Sequence, residues 1–324
     1  MTVSRVINDS GKVSPEARAR VNRAIAELGY MPNVLARQLR SKRTKTIALV
    51  LTDIANPFFT TIARGVEDAA RAQGYAVMFC NTDESEAEEI EYVRMLIQRQ
   101  VDGVLLVPAT DSSASLQLLH EHGLPVVVLD RRLRSGGVDE VRTDSEAGAH
   151  AAVRHLLDLG HRRIAVLTGP ETVSTSADRV AGYRRALAEE GLEADDELVI
   201  FGGYNETSGY EMTRRILDTQ PRPTAIFAAN NFIAFGAIRA LREAGMRTPE
   251  DMSIAVFDDL PPGWVFDPFL TVVSQPAYEI GKQAAELMLE RLAGKAPAEP
   301  RIIVLPSELI TRRSTAPLSR EAAA

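Results

Sequence analysis

The sequence predicts an α/β protein in which two lobes of doubly wound parallel sheet follow a short helical head. Apolar runs of strand length alternate with helix-length runs from residue 46 onward, which is typical of parallel sheets covered on both faces. The chain has 324 residues, more than one hydrophobic core usually holds. Residues 1–45 carry ten basic and three acidic side chains, against 27 and 41 in the remainder. This asymmetry favours a nucleic-acid-contacting segment, with a solvated basic arm as the alternative.

Two helices are predicted at the start of the basic head. The first, Thr2 to Asn8, places its apolar side chains on one helical face. Ser14 and Pro15 predict the start of the second, because serine caps a helix and proline fits its first position. Gly29 suits the left-handed residue that ends a helix.

A third helix is predicted from Val34 to Arg40, after Pro32 and Asn33. Cationic side chains flank its few apolar ones. A helix of this length is not stable alone, so we expect it to pack on a partner.

Nine strands are predicted in the body, each a short apolar run bounded by polar or turn residues. They are Ile47–Leu51, Ala76–Phe79, Gly103–Val107, Val126–Leu129, Ile164–Leu167, Leu198–Phe201, Ala225–Ala228, Ser253–Phe257 and Leu270–Val273. Helices are predicted around Ile62–Arg71, Glu86–Gln98 and Tyr278–Leu292. So many strands do not fit one doubly wound unit with short loops, and we therefore expect two similar lobes.

Polar and aromatic side chains follow the predicted strands, where open α/β sheets bind ligands. Planar amide, carboxylate and guanidinium groups can bond sugar hydroxyls in pairs, and aromatic rings cover the C–H faces of a sugar. Taken singly, each residue also suits a helix cap or a salt bridge. The candidates for ligand binding are Asn56, Phe58, Phe59, Asp130, Arg131, Arg179, Tyr204, Asn230, Asp258 and Gln275.

Other function classes are disfavoured. There is no signal peptide and no run of the roughly 18 apolar residues that a membrane span needs, so we expect a cytoplasmic protein without a membrane partner. The single Cys80 forms no internal disulfide. Phosphate-loop, nucleophile-elbow and zinc-helix motifs are missing, and His120 and His122 are more typical of a solvated helix end. The sequence therefore predicts no enzyme, no cofactor and no metal site.

The head resembles the DNA-binding head of the lactose-repressor/galactose-repressor (LacI/GalR) family of bacterial transcription regulators in TVSRVIN, VSPEARARVNRAIAELGYMPN and ARQLR. The resemblance implies that Thr2 to Asn8 is the recognition helix of a helix-turn-helix, lying in the major groove. It also implies that residues 32–40 form a hinge helix that pairs across a homodimer in the minor groove, where Leu39 wedges between base pairs. The implied DNA contacts are Thr2, Ser4, Arg5, Asn8, Asn33, Arg37, Leu39 and Arg40.

The family normally has a further helix and a tight turn before the recognition helix, and this chain starts where that turn ends. We expect either a start codon upstream of Met1 or a truncated head with impaired DNA binding. The retained residue pattern of the head favours the first explanation.

Along the body, the resemblance implies the two-lobed fold of the periplasmic sugar-binding proteins. The expected parts are a partial helix-turn-helix head (1–31), a hinge (32–45), a first lobe (46–144 and about 275–305), a second lobe (145–274 and about 306–315) and a disordered tail (316–324). The site resembles ribose-type binders, in which positions matching Phe58 and Phe59 sandwich the sugar ring. Asn231 replaces the usual aspartate there and is expected to cap a helix.

These features together predict a ligand-responsive transcription regulator that binds a pseudo-palindromic operator as a homodimer and represses sugar-utilisation genes. Binding of a monosaccharide is expected to close the lobes, unpair the hinge helices and lower operator affinity, which is an allosteric response. The alternative is a sugar-binding protein or sensor that does not bind DNA because its head is incomplete. A solute-binding protein of a transporter would need export and would lack the basic head.

Overall fold

The computed structural model describes residues 2–7, 13–29, 43–112, 114–133, 136–261 and 267–318. The chain divides into a head, residues 1–44, and a body, residues 45–324. The described helices are α1 (Thr2–Ile7), α2 (Pro15–Leu28), α3 (Pro57–Ala72), α4 (Glu86–Gln98), α5 (Ala114–Glu121), α6 (Ser145–Asp158), α7 (Ser174–Glu189), α8 (Glu206–Leu217), α9 (Asn231–Glu243) and α10 (Ala277–Leu292). None of them combines the length and apolar character that a membrane span requires.

The two predicted helices of the head are confirmed by α1 and α2. Ser14 caps α2, its Oγ accepting a hydrogen bond from the Ala17 amide at 3.3 Å, and Gly29 ends the helix with φ of 57°. No residue of α2 is fully buried; Val21 and Ile25 of its apolar face are half-buried, and Leu28 is 80% exposed. The predicted third helix, Val34 to Arg40, lies outside the described residues.

Twelve strands form two sheets in the described part of the body. They are β1 (Thr46–Leu51), β2 (Ala76–Asn81), β3 (Gly103–Leu106), β4 (Val126–Leu129), β5 (Asp139–Thr143), β6 (Ile164–Thr168), β7 (Val199–Phe201), β8 (Ala225–Ala228), β9 (Ser253–Phe257), β10 (Thr271–Ser274), β11 (Ile302–Leu305) and β12 (Glu308–Ile310). All nine predicted strands are confirmed. β5, β11 and β12 were not predicted.

The two sheets share one topology. Their strand orders are β11-β5-β4-β3-β1-β2 and β12-β10-β9-β8-β6-β7. Every pair is parallel except β10 with β12, which is antiparallel. Helices cover both faces of each sheet, with α3 and α10 opposite α4 and α5 on the first, and α6 and α7 opposite α8 and α9 on the second. This is the predicted pair of doubly wound lobes.

The chain passes between the lobes three times. It leaves β5 for α6 at residue 144, returns from β10 to α10 through residues 275–276, and crosses again between β11 and β12. On its return, α10 packs closely on α3, because a Cβ at Gly65 would lie 2.1 Å from the Tyr278 carbonyl oxygen and one at Gly281 would lie 2.0 Å from that of Ile62. Glycine at both positions therefore allows the last helix to dock on the first lobe.

The start of the predicted disordered tail is ordered. The Ala316 carbonyl oxygen accepts a hydrogen bond from Nε2 of the buried His161 at 3.1 Å, and the Leu318 amide donates to the Leu159 carbonyl at 2.9 Å. The predicted disorder is therefore wrong for residues 316–318, and residues 319–324 lie outside the described ranges.

Candidate ligand-binding cleft

The carboxyl ends of the two sheets carry matching aspartates. Asp130 follows β4 and Asp258 follows β9, and these strands hold the same place in the order of their sheets. Both residues are buried, and both have a left-handed backbone, with φ of 63° and 75°, which aspartate tolerates better than most residues. The two lobes thus present equivalent acidic side chains where such sheets bind ligands.

Three asparagines lie where helices begin. Asn56 caps α3, with Oδ1 accepting from the Phe58 amide at 3.0 Å, and Asn230 caps α9, with Oδ1 accepting from the Ile233 amide at 2.8 Å. Asn231 instead donates from Nδ2 to Asn56 Oδ1 of the other lobe at 3.2 Å. The predicted capping role of Asn231 is therefore wrong, because Asn230 already fills the cap position.

Arg131 is buried in the first lobe and bound by a carboxylate. Its Nη1 and Nη2 donate to the two carboxylate oxygens of Glu84 at 2.6 and 2.7 Å, and Nη1 also donates to the Pro108 carbonyl at 2.9 Å. Burial opposes its charge, but Glu84 outweighs this and raises the pKa of the guanidinium. Its Cζ lies 5.6 Å from the centroid of the Tyr204 ring of the second lobe.

Arg179 is the buried cation of the second lobe. It lies in α7, and its Nη1 donates to the carbonyl of Ala229, at the end of β8. Its Cζ lies 3.8 Å from the centroid of the Phe257 ring, which places the guanidinium over the aromatic face. Two contacts of different kinds therefore fix its position.

The two aspartates resist ionisation. Burial raises the pKa of Asp258 to about 6, although Arg179 and a hydrogen bond from Gln275 act in the opposite direction. Burial also raises the pKa of Asp130, against Arg131 and Arg179. Gln275 donates from Nε2 to Asp258 Oδ1 at 2.5 Å. The cleft therefore contains carboxylates that are costly to keep charged.

Asp258→Asn is expected to stabilise the ligand-free protein near pH 7 by up to about 3 kcal/mol. Asparagine keeps an acceptor for Gln275 and tolerates the left-handed backbone. Because the folded pKa exceeds the unfolded one, the carboxyl contributes stability below about pH 4 and loses it as the pH rises through about 6. Urea unfolding near pH 7 and near pH 4 measures the difference. An equal effect at both pH values would show that this carboxyl is not perturbed.

The aromatic residues do not form the predicted sandwich. The ring centroids of Phe58 and Phe59 are 5.1 Å apart with an interplanar angle of 65°, so the rings contact each other edge to face. No space for a sugar ring lies between them, and the predicted sandwich by this pair is wrong. Both rings are buried at the start of α3 and can offer only one side to a ligand.

Tyr204 supplies an aromatic ring from the second lobe. Its hydroxyl bonds the hydroxyls of Thr175 and Ser176 at 3.1 and 2.8 Å. A Cβ at Gly169 would lie 2.2 Å from its Cε2, so glycine makes room for the ring after β6. The ring is therefore held in place from two sides.

Among the candidate ligand-binding residues and Asn231, five buried polar side-chain atoms have no hydrogen-bonding partner. They include three acceptors and two donors, and they come from both lobes. Buried polar atoms in folded proteins nearly always have a partner, so this cluster is unusual. The atoms are Oδ1 of Asp130 and of Asn231, Oε1 of Gln275, and Nε of Arg131 and of Arg179.

The lobes also contact each other beside the cleft. The Arg132 amide donates to Ser174 Oγ at 2.8 Å, and the Arg132 guanidinium pairs with the carboxylate of Asp178. The Asp111 amide donates to the Thr172 carbonyl at 3.1 Å. Each contact joins a loop of the first lobe to the start of α7 in the second, or to the loop before it.

In the head, the side chain of Arg5 is exposed on α1. Thr2 and Ser4 lie in the same helix. The other predicted DNA contacts lie outside the described residues; they are Asn8, Asn33, Arg37, Leu39 and Arg40.

Two carboxylates of this region, Glu84 and Glu89, were not predicted from the sequence. Glu89 is buried and accepts a hydrogen bond from the Ala109 amide at 2.6 Å, and burial raises the pKa of its carboxyl. Both residues follow β2, so the strand-end rule that found the other candidates could also have found Glu84. Glu89, inside α4, gives no such signal.

Residues 44–313 match the family described as periplasmic binding proteins and sugar binding domain of the LacI family, and residues 1–33 match the bacterial regulatory proteins of the lacI family. The HTH-type transcriptional repressor PurR of Vibrio atlanticus is 34% identical, with 98% of this chain and 95% of the relative covered. The ribose operon repressor of Halalkalibacterium halodurans is 37% identical, with 97% and 92% covered. These relatives are transcriptional regulators rather than enzymes.

Two solved structures are similar in sequence and in fold. A LacI family transcriptional regulator from Enterococcus faecium with bound ribose is 35% identical, with 85% of this chain and all of the other covered and a TM-score of 0.75. The lac repressor dimer bound to operator and the anti-inducer ONPF is 28% identical, with 97% and 94% covered and a TM-score of 0.84. The chain therefore belongs to the LacI family of DNA-binding transcriptional regulators, with a periplasmic-binding-type effector domain.

Proposed function

We propose that this protein represses sugar-utilisation genes and that a monosaccharide or related small molecule, bound between its lobes, sets its operator affinity. The observation that carries the proposal is the cluster of five buried polar atoms without partners. Each hydroxyl of a sugar both donates and accepts, so one ring can satisfy acceptors and donors from two lobes at once. The ribose bound by the Enterococcus faecium relative supports this ligand class.

The cleft couples ligand binding to lobe closure. Asp130 and Arg131 belong to the first lobe, and Arg179, Asn231 and Asp258 to the second. A ligand that bonds both sets binds the closed arrangement of the lobes more tightly than the open one. It shifts the equilibrium towards the closed arrangement by the difference between its two binding free energies. Closure shifts one lobe against the other and so changes the spacing of the paired heads in a dimer.

The proposed partners are operator DNA and a second copy of the chain, in the cytoplasm. The operator-bound lac repressor is a dimer, and its similarity extends over nearly the whole of this chain. The exposed Arg5 and the basic charge of residues 1–45 support contact with DNA. A sugar sensor without DNA binding is the competing proposal, and titration with duplex DNA separates the two.

A thermal-shift screen of pentoses, hexoses, sugar acids and purines is expected to identify a monosaccharide. A ligand at about 100 times its Kd stabilises the folded state by about 2.7 kcal/mol, which for a domain of this size raises the Tm by roughly 5 °C or more. Glycerol at the same concentration is the control for nonspecific stabilisation. A purine that shifts the Tm when no sugar does would contradict the proposed ligand class.

A further inference from the structure

Glu84 binds Arg131 in the geometry that a ligand carboxylate or phosphate would use. Two parallel hydrogen bonds of 2.6 and 2.7 Å join the two side chains. The side chain of Arg131 is 4% exposed and that of Glu84 is 26% exposed. Paired bonds between a guanidinium and a carboxylate are among the strongest and most directional in proteins. The end of the Arg131 fork is therefore already occupied by a carboxylate of the chain itself.

The turn that carries Glu84 is held in an unfavourable backbone conformation. Asp83 and Glu84 have φ of 50° and 59°, a left-handed conformation that costs roughly 1–2 kcal/mol for each such residue. Hydrogen bonds hold the turn, because the Glu84 amide donates to the Thr52 carbonyl at 3.1 Å and the Ser85 amide donates to that of Thr82 at 2.9 Å. The side chain of Glu84 is thus directed to Arg131 by a constrained backbone.

The side chain of Arg131, the other member of the pair, is also constrained. Arg131 Nη1 lies 3.3 Å from the Ala109 carbonyl oxygen, and the amide of Ala109 is bonded to the buried Glu89. Both Nη nitrogens of Arg131 therefore have hydrogen-bond partners within the chain, whereas its Nε has no hydrogen bond and lies 3.8 Å from Asp130 Oδ2. A ligand hydroxyl can bond Nε without displacing Glu84.

The charge of Arg131 is compensated before any ligand enters. Its guanidinium is paired with Glu84, and its Nε lies 3.8 Å from Asp130 Oδ2. One cation therefore faces two carboxyl groups of the chain itself. A ligand carboxylate or phosphate placed at Arg131 would add another buried negative charge to this group, and burial of a charge without a free counter-charge is costly.

We propose that Glu84 is a positioning residue that neutralises Arg131 and restricts the cleft to uncharged hydroxylated ligands, so that aldoses bind and the corresponding sugar acids and sugar phosphates are rejected. This inference rests on the proposed function and narrows its ligand class. Glu84 acts through Arg131, orienting its Nε towards the ligand and occupying the positions that an anionic group would take.

Isothermal titration calorimetry with two matched pairs tests the proposal: D-galactose with D-galacturonate, and D-ribose with D-ribose 5-phosphate. For whichever pair contains a ligand of the wild-type protein, we expect the Kd of the neutral sugar to be at least about 100-fold lower than that of its anionic counterpart. Glu84→Gln is expected to narrow this ratio at least about tenfold, because it releases the Arg131 fork. The control Glu88→Gln removes an equal charge from an exposed position on α4 and is expected to keep the wild-type ratio.

If Glu84 contributed only to stability, Glu84→Gln would have a lower Tm than the wild-type protein but the same ratio of affinities for the neutral and the anionic sugar. Glu84→Asp keeps the charge, and we expect it to retain the preference for the neutral ligand. If Glu84→Gln does not fold, Glu84→Asp is the variant that tests the inference, and loss of the preference would contradict it. Two results would overturn the inference and leave the proposed function standing. One is wild-type protein that binds the anionic sugar as tightly as the neutral one; the other is folded Glu84→Gln with an unchanged ratio of the two affinities. Failure of these four probes and of every monosaccharide in the thermal-shift screen to bind the wild-type protein would overturn the monosaccharide proposal and this inference with it.

Discussion

Arg179→Ala is expected to abolish ligand binding, with Kd raised at least about 100-fold, while operator affinity stays unchanged. Arg179 is fixed by the Ala229 carbonyl and by the Phe257 ring, and its Nε, like that of Arg131, is a buried donor of the cleft without a hydrogen-bond partner. A hydrogen bond from a charged donor is worth about 1.5–3 kcal/mol, and the substitution also removes the cation that faces Asp258. Calorimetry with the monosaccharide identified by the thermal-shift screen measures the loss.

Arg184→Ala is the matched control for this substitution. Arg184 lies on the same helix, is 54% exposed, and pairs with an aspartate that is 88% exposed, so a small effect is expected. Ligand binding that survives Arg179→Ala would remove this residue from the site. Simultaneous loss of ligand binding and operator binding would point to misfolding.

β5 was not predicted from the sequence because most of its residues are charged or polar. Residues 139–143 read Asp-Glu-Val-Arg-Thr, which does not resemble a buried strand. Asp139 is nevertheless buried, because its carboxylate accepts hydrogen bonds from Arg291 at 2.7 and 2.8 Å and from the Arg301 amide at 2.7 Å. These partners lie more than 150 residues later in the chain, so the sequence around Asp139 does not indicate that they will pair with it.

The two other missed strands are short edge strands at the last crossing between the lobes. β11 reads Ile-Ile-Val-Leu, an apolar run that the strand criterion could have found. In the structure Ile303 and Leu305 pack on the core of the first lobe, whereas Ile302 is 61% exposed and Val304 is 43% exposed. β12 has only three residues and pairs antiparallel with β10. Their pairing depends on where α10 returns the chain, which is decided by tertiary packing.

Apart from Glu84 and Glu89, the positions of the candidate site residues could be predicted, but their contacts could not. The rule that ligands bind beyond the carboxyl ends of strands selected Asp130, Arg131 and Asp258 from the sequence alone. The edge-to-face contact of Phe58 with Phe59 depends on side-chain rotamers, which the sequence does not determine. The pairing of Glu84 with Arg131 joins residues 47 positions apart through a left-handed turn, and that turn contains no glycine to signal it.

Operator affinity is expected to fall at least about tenfold when the cleft is saturated with the monosaccharide. A coupling free energy of 1–3 kcal/mol between two sites is usual for allosteric proteins, and the ligand contacts here are divided between both lobes. The basic head also predicts that affinity falls steeply as salt rises, because each phosphate neutralised by lysine or arginine releases counterions.

The coupling is tested by fluorescence anisotropy. A labelled pseudo-palindromic duplex, obtained by selecting random duplexes for binding to the protein, is titrated with the protein in the presence and in the absence of the monosaccharide. The account predicts tight, salt-sensitive binding that weakens at least about tenfold with saturating ligand in the wild-type protein and does not change with ligand in Arg179→Ala. Equal operator affinity with and without a ligand that calorimetry shows to be bound would contradict it.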